Sequence, residues 1–292
     1  MPTSTHAKPP AGLPGQSARS AVTSAGRPPA CRGNGSSPRN TRRAAAATPG
    51  AMFLAGGLLA TVLLAGAMTA RAADALETMA AFGKDTRVLF QGDSITDGNR
   101  GRSADPNHIL GHGYAFIIAA KFGAGHAERN LTFLNRGISG NTVLDLEKRW
   151  QKDTLDLKPD VLSVLIGVND NSKGVPVEQY EQVYDRLLTA AKAANPKLKL
   201  VLCEPFGLPM GAKKAIFATW NPSLQQRQAI VARLAAKHGA ALVRLQKIFT
   251  DAGSRLAPEH WIWDGVHPTY SGHQLMADEW VRTVNAFWPA AK

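Results

Sequence analysis

The chain has 292 residues, 44% of them hydrophobic, a formal net charge of +12 and two cysteines, Cys31 and Cys203. That length supports one substantial core, and a single cysteine beyond position 72 excludes a domain stapled by an internal disulfide. The charge does not point to nucleic acid. Lys8, Arg19, Arg27, Arg32, Arg39, Arg42, Arg43 and Arg71 face no acidic residue within 1–72, so the rest of the chain carries only about +4, and no basic cluster there is interleaved with aromatics.

Residues 1–50 are dominated by Pro, Gly, Ser, Ala and Arg and have too few large apolar side chains to offset the entropy of ordering. They read as a disordered basic leader. Residues 51–72 hold an apolar run from Met52 to Met68 and end Thr69-Ala70-Arg71-Ala72, the pattern of a signal-peptide hydrophobic region cleaved after Ala72. The run is short and diluted with Gly and Ala for a permanent span, and no cysteine near its end offers a site for lipid. A secreted or periplasmic location without a stable membrane anchor is therefore expected, with Arg42-Arg43 leaving the Sec and twin-arginine routes both open.

Residues 73–292 then alternate strand-like and helical segments. Apolar runs at 87–91, 131–135, 161–166, 198–203 and 241–245 predict strands, and continuous Val, Ile and Leu predict burial on both faces. Amphipathic stretches at 114–122, 143–156, 177–194 and 223–238 predict helices between them, and 271–287 predicts a closing helix. Alternation of this kind favours right-handed crossovers in one parallel sheet. The expected fold is a three-layer α/β/α domain around a doubly wound, five-stranded parallel sheet.

In such a sheet the cleft lies outside the carboxyl ends of the strands. There the sequence carries Gly92-Asp93-Ser94 after the first strand, Arg136-Gly137-Ile138-Ser139-Gly140-Asn141-Thr142 after the second, and Gly167-Val168-Asn169-Asp170-Asn171 after the third. Trp261-Ile262-Trp263-Asp264-Gly265-Val266-His267-Pro268 precedes the closing helix, and a spacing of three lets the Asp264 carboxylate and the His267 imidazole meet across a turn. A serine hydroxyl needs a base to become a nucleophile, and an imidazole serves best when a carboxylate fixes its tautomer. Ser94, His267 and Asp264 supply those three types. The N–H groups of Ser94 and Gly140 and the Asn169 amide supply donors for an oxyanion. Taken singly, each piece is equally readable as turn glycine, helix cap or loop histidine.

A metal reading of Asp93, Asp97, Asp170, Asp264 and His267 lacks any tight ligand pair such as His-x-x-x-His and leaves the serine without a role. No glycine run has a phosphate-binding spacing either. Neither a metal nor a cofactor is expected.

As a set, in this order and at these spacings, Gly92-Asp93-Ser94, Gly140, Gly167-x-Asn169-Asp170 and Asp264-x-x-His267 resemble the four blocks of the SGNH, or GDSL, hydrolases over residues 85–288. The resemblance implies a flavodoxin-like fold and a cofactor-free serine esterase. Its defining four would be Ser94, Gly140, Asn169 and His267, with Asp264 completing the triad. The longer run from Asn135 to Trp150, with Trp263-Asp264-x-Val266-His267-Pro268, is similar to the carbohydrate acetylesterase branch that includes acetylxylan esterases. That step implies small acyl groups, chiefly acetyl, removed from an acylated carbohydrate. Asp93 and Trp263 are the candidate substrate-binding residues, and an indole at a cleft rim can stack on a sugar face or wall an acyl pocket. A lysophospholipase or thioesterase using the same site, and a carbohydrate-binding module without turnover, are the competing readings. The sequence leaves a homo-oligomer open.

Overall fold

The computed structural model describes residues 79–290. The leader at 1–50, the apolar segment at 51–72 and the boundary at position 73 lie outside the described residues.

Five strands, β1 Arg87–Gly92, β2 Thr132–Asn135, β3 Val161–Leu165, β4 Lys199–Cys203 and β5 Ala241–Val243, form one sheet in the order β2-β1-β3-β4-β5, every neighbouring pair parallel. The helices are α1 Ser94–Asp97, α2 Tyr114–Gly125, α3 Val143–Trp150, α4 Val168–Ser172, α5 Val177–Ala194, α6 Phe217–His238, α7 Leu245–Gly253 and α8 Tyr270–Phe287, with short 3₁₀ turns between some of them. The two-residue period of a strand divides the apolar side chains between two layers. Val88, Phe90, Val161, Val201 and Cys203 pack with Tyr114 and Phe122 of α2, Phe249 of α7 and Trp280 of α8. Leu89, Leu162, Val164, Leu200 and Leu202 pack with Leu146 of α3, Tyr184 of α5 and Val231 of α6. The result is the flavodoxin-like three-layer α/β/α fold, with β1 at the point where the strand order reverses, so that a crevice opens beyond its carboxyl end. Ser163 in the middle of β3 is a buried polar residue, and the Trp280 indole N–H donates to its hydroxyl at 3.0 Å.

Three elements differ from the spacing of the sequence. The helix expected over 143–156 is α-helical only to Trp150 and continues as a π-helical turn, Gln151–Leu155. There the Gln91 amide donates to Asp153 O at 2.7 Å and to the Thr154 hydroxyl at 2.8 Å, and a side chain inserted into a helical ladder is a recognised cause of such a widening. Helix α6 begins at Phe217, six residues ahead of the expected start at 223, and runs through Pro222. Helix α7, which the sequence does not signal, is held by Leu245, Phe249 and Ala252 against the core. Among the described residues no helix is long and apolar enough to cross a membrane.

Candidate active site

The turn after β1 needs a glycine. A Cβ at Gly92 would lie 2.3 Å from the Leu165 carbonyl oxygen, so only glycine lets β1 approach the end of β3 as the chain turns into α1. Asp93 caps that helix, its Oδ1 accepting from Ile95 N at 3.0 Å. Ser94 follows as the first helical residue, half-buried at the carboxyl edge of the sheet.

The loop before α8 brings the last motif to the same point. Ser94 Oγ lies 2.8 Å from His267 Nε2, and His267 Nδ1 lies 2.6 Å from Asp264 Oδ2. The other Asp264 oxygen accepts from Val266 N at 3.0 Å and His267 N at 2.8 Å, so the carboxylate fixes both the ring and the backbone that carries it. Burial works to raise the Asp264 pKa, but these donors and the imidazole outweigh it and hold the carboxyl below its usual value. A charged carboxylate on Nδ1 favours the tautomer whose Nε2 can accept the serine proton. A second histidine close by is a contrast. His273 is buried, accepts from Tyr114 N through Nδ1 at 3.2 Å, and is pushed down to about 4, first by burial and then by His112 and His267. It is a satisfied, neutral core residue.

The second block runs beside the turn after β1, where Ile138 N donates to Gly92 O at 3.1 Å, and the third follows β3, which pairs with β1. Gly140 has a left-handed φ of +79°, and an added Cβ would touch only Lys173 Nζ at 4.0 Å, so the conformation and not crowding calls for glycine. Asn169 uses one amide hydrogen on Asn141 O at 3.1 Å. Its amide has a second. The loop between them is tied down by residues whose positioning role the motifs did not single out. Arg149 donates to Gly92 O at 3.3 Å, Arg136 O at 2.8 Å and Asn141 Oδ1 at 2.8 Å, joining the end of β1 to the loop beyond β2. Asp97 accepts from the Ser139 N–H at 3.0 Å and its hydroxyl at 3.1 Å. Lys173 Nζ donates to Gly140 O at 2.6 Å.

The two candidate substrate contacts separate. Trp263 is 66% exposed and stacks on the His267 ring at 6.2 Å between centroids, which puts a bare indole at the rim. Trp261 is instead half-buried, its indole N–H donating to Ala252 O at 3.1 Å. Asp93 corrects the sequence reading: at 1% exposure, with one oxygen committed to the cap, it is out of reach of a bound substrate. Its other oxygen, like Asp170 Oδ2, is buried without a hydrogen-bond partner. Burial, opposed by the Ile95 N–H and reinforced by the Asp170 charge, pushes Asp93 up to about 7.

The segment 207–222, which carries no motif, contributes the support under Asp264. Leu208 N donates to Gly265 O at 2.9 Å, and Trp220 packs in the core beside it. Periodicity and motif spacing have no signal for a loop that only buttresses another loop.

An α/β/α sheet with a serine and an imidazole in contact beyond its first strand describes a class of hydrolases, and comparison with known proteins names it. The profile of the GDSL-like lipase/acylhydrolase family matches residues 90–275, and the chain belongs to that family. It is 31% identical over 219 residues to an acetylxylan esterase of Geobacillus stearothermophilus, the match covering 70% of this chain and 97% of that one. The crystal structure of Axe2, an acetylxylan esterase from the same organism, superposes with a TM-score of 0.62 at 29% identity over 70% of this chain and 96% of the other. The structure of LAE5, an alpha/beta hydrolase enzyme from the metagenome of Lake Arreo, Spain, gives 0.62 at 29% identity over 71% and 98%. Catalytic mutants of Axe2 replace a serine, an aspartate and a histidine. The chain is a carboxylic ester hydrolase.

Proposed function

We propose that this esterase removes small acyl groups, chiefly acetyl, from carbohydrates through a Ser94-His267-Asp264 triad and an acyl-enzyme. The observation that carries the reading is the 2.8 Å contact between Ser94 Oγ and His267 Nε2, with Asp264 on the far side of the ring at 2.6 Å. Ser94 Oγ attacks the ester carbonyl as its proton passes to His267 Nε2. The tetrahedral oxyanion is met by the N–H groups of Ser94 and Gly140 and the free amide hydrogen of Asn169. His267 then returns the proton to the departing sugar hydroxyl, and water repeats both steps on the acyl-serine.

Two features support a carbohydrate as the alcohol. The bare Trp263 indole at the rim offers a flat apolar face of the kind that stacks on a sugar ring, and the relatives at 29–31% identity include acetylxylan esterases. The apolar run at 52–68, followed by small residues, supports export to a place where polysaccharide is found. The test compares kcat/KM on acetylated xylo-oligosaccharides with kcat/KM on long-chain acyl esters. The proposal expects preference for the acetylated sugar. Preference for acyl chains of about eight carbons or more would replace it with a lysophospholipase or thioesterase activity at the same serine.

A further inference from the structure

Four guanidinium groups gather around the loop that carries Gly140. Arg149 lies beneath it and pairs with Asp153 at 3.3 Å, while Arg102 pairs with Asp97 at 2.7 Å. Arg100 and Arg136 have no carboxylate within 4.0 Å among the described residues: Arg100 Nε donates to Gly137 O at 2.9 Å, and Arg136 Nη1 to its neighbour Asn135 O at 3.2 Å. The remaining carboxylate on this stretch, Asp105, is engaged by His108 and Asn107. Two of the four guanidinium groups therefore have no direct ion pair among the described residues, although Asp97 and Asp153 act on Arg100 from farther away. Partial burial and then the Arg102 charge, opposed by Asp97 and more weakly by Asp153, push Arg100 down to about 10. Lys173 adds a further cation on the Gly140 carbonyl.

The position of this patch gives it meaning. Asp97 ends the single turn that begins at Ser94 and holds Ser139, so the patch starts one helical turn from the nucleophile and flanks the oxyanion loop. A guanidinium fork matches a carboxylate in shape and charge, and among the described residues none lies at ion-pair distance from Arg100 or Arg136.

We propose that Arg100 and Arg136 form a carboxylate-binding subsite that selects acetylated glycans carrying a uronic acid, holding that sugar's carboxylate while a neighbouring ester lies at Ser94. The subsite rests on the carbohydrate esterase reading and adds to it the charge of the preferred substrate.

The test measures kcat/KM on two acetylated xylo-oligosaccharides that differ only in a glucuronic acid branch, with wild type, Arg136→Gln and Arg100→Gln, at low and high salt. Because the readout is a ratio of two substrates on one enzyme, a variant that folds incompletely still reports it. Wild type is expected to favour the acidic glycan by about 10-fold, with the ratio falling toward one in either variant and as salt rises. No preference in wild type, or one that survives both substitutions, overturns the subsite alone. If aryl acetate is hydrolysed while neither oligosaccharide is, the carbohydrate reading fails and the subsite with it. Sulfate at constant ionic strength separates a substrate carboxylate from a free anion: loss of only the acidic preference supports the subsite, and equal inhibition of both substrates overturns it.

Discussion

Asp97 accepts from the backbone N–H of Ser139 at 3.0 Å and from its hydroxyl at 3.1 Å, and these contacts help tie the turn that carries Ser94 to the loop that carries Gly140. The proposed nucleophile and one proposed oxyanion donor are thereby set relative to each other by a buried carboxylate, together with the Ile138 N–H on Gly92 O at 3.1 Å. Burial works to raise the Asp97 pKa, but Arg102 and Ser139 outweigh it and hold the carboxyl below its usual value. It stays charged at neutral pH, and its contribution fades only as the solution becomes acidic enough to protonate it. Asp97→Ala leaves the Ser139 N–H without its acceptor, and is expected to destabilise the fold by about 1–3 kcal/mol and to lower kcat more than it raises KM. Steady-state kinetics beside urea unfolding checks this; an unchanged kcat in a destabilised protein would make Asp97 structural only.

Asp264 is expected to act through the imidazole. Asp264→Asn keeps the side-chain shape but presents an amide to His267 Nδ1, which favours the wrong tautomer. A fall in kcat on the order of 10⁴-fold at neutral pH follows, with little change in the thermal transition. Rates on an aryl acetate across pH test it, and a loss below about 10-fold would remove Asp264 from the triad.

In the proposed mechanism Asn169 donates to the developing oxyanion with the amide hydrogen not used on Asn141 O. Removing one such donor raises the barrier by about 2.7–4 kcal/mol. Asn169→Ala should therefore lower kcat by about 10²–10³-fold while KM stays within a few-fold. An equal effect on KM alone would assign Asn169 to ground-state binding.

Asp93 supplies a prediction about pH and stability. Its folded pKa is raised from 3.8 to about 7, chiefly by burial, and that of Asp170 from 3.8 to about 6. Each carboxyl takes up its proton more readily in the folded state than in the unfolded one. The contribution of these two groups to folding is therefore largest below about pH 4 and is lost as pH rises toward 7, because the unfolded carboxyls ionise there while burial holds the folded ones neutral. Asn at position 93 keeps an oxygen for the Ile95 N–H and cannot ionise. Asp93→Asn should match wild type near pH 4 and exceed it by a few kcal/mol near pH 8, since a tenfold change in a proton-binding equilibrium corresponds to about 1.4 kcal/mol. Unfolding curves at the two pH values decide it, and an identical difference at both would mean that Asp93 is not protonated in the folded state.

Much of this was legible from the chain alone because parallel strands and their loop motifs carry strong local signals. The apolar run at 161–166 predicted a strand buried on both faces, and Gly92, Gly140 and Gly167 marked the edge where the cleft is expected. The illegible parts depend on long-range contacts. The expected helix over 223–238 misses the first turns of α6, Phe217 to Pro222, because their place is set by packing, Trp220 being buried in the core. The π-helical turn depends on Gln91 reaching Asp153, which lies 62 positions away. Asp93 looked like a site residue because it adjoins Ser94, whereas a helix cap at a buried turn must point into the protein. The supporting roles of Arg149 and Asp97 appear only when two loops far apart in sequence are seen together.

The claim on which the rest depends is that Ser94 is the nucleophile. Incubation with an aryl-tagged fluorophosphonate, followed by peptide mass mapping, tests it most directly, because only a hydroxyl activated by an adjacent base reacts rapidly. The account predicts a single adduct on Ser94, formed in step with loss of esterase activity and abolished in His267→Ala. An enzyme that is inactivated with its adduct on another residue, or that remains unlabelled while hydrolysing aryl acetates, would contradict it.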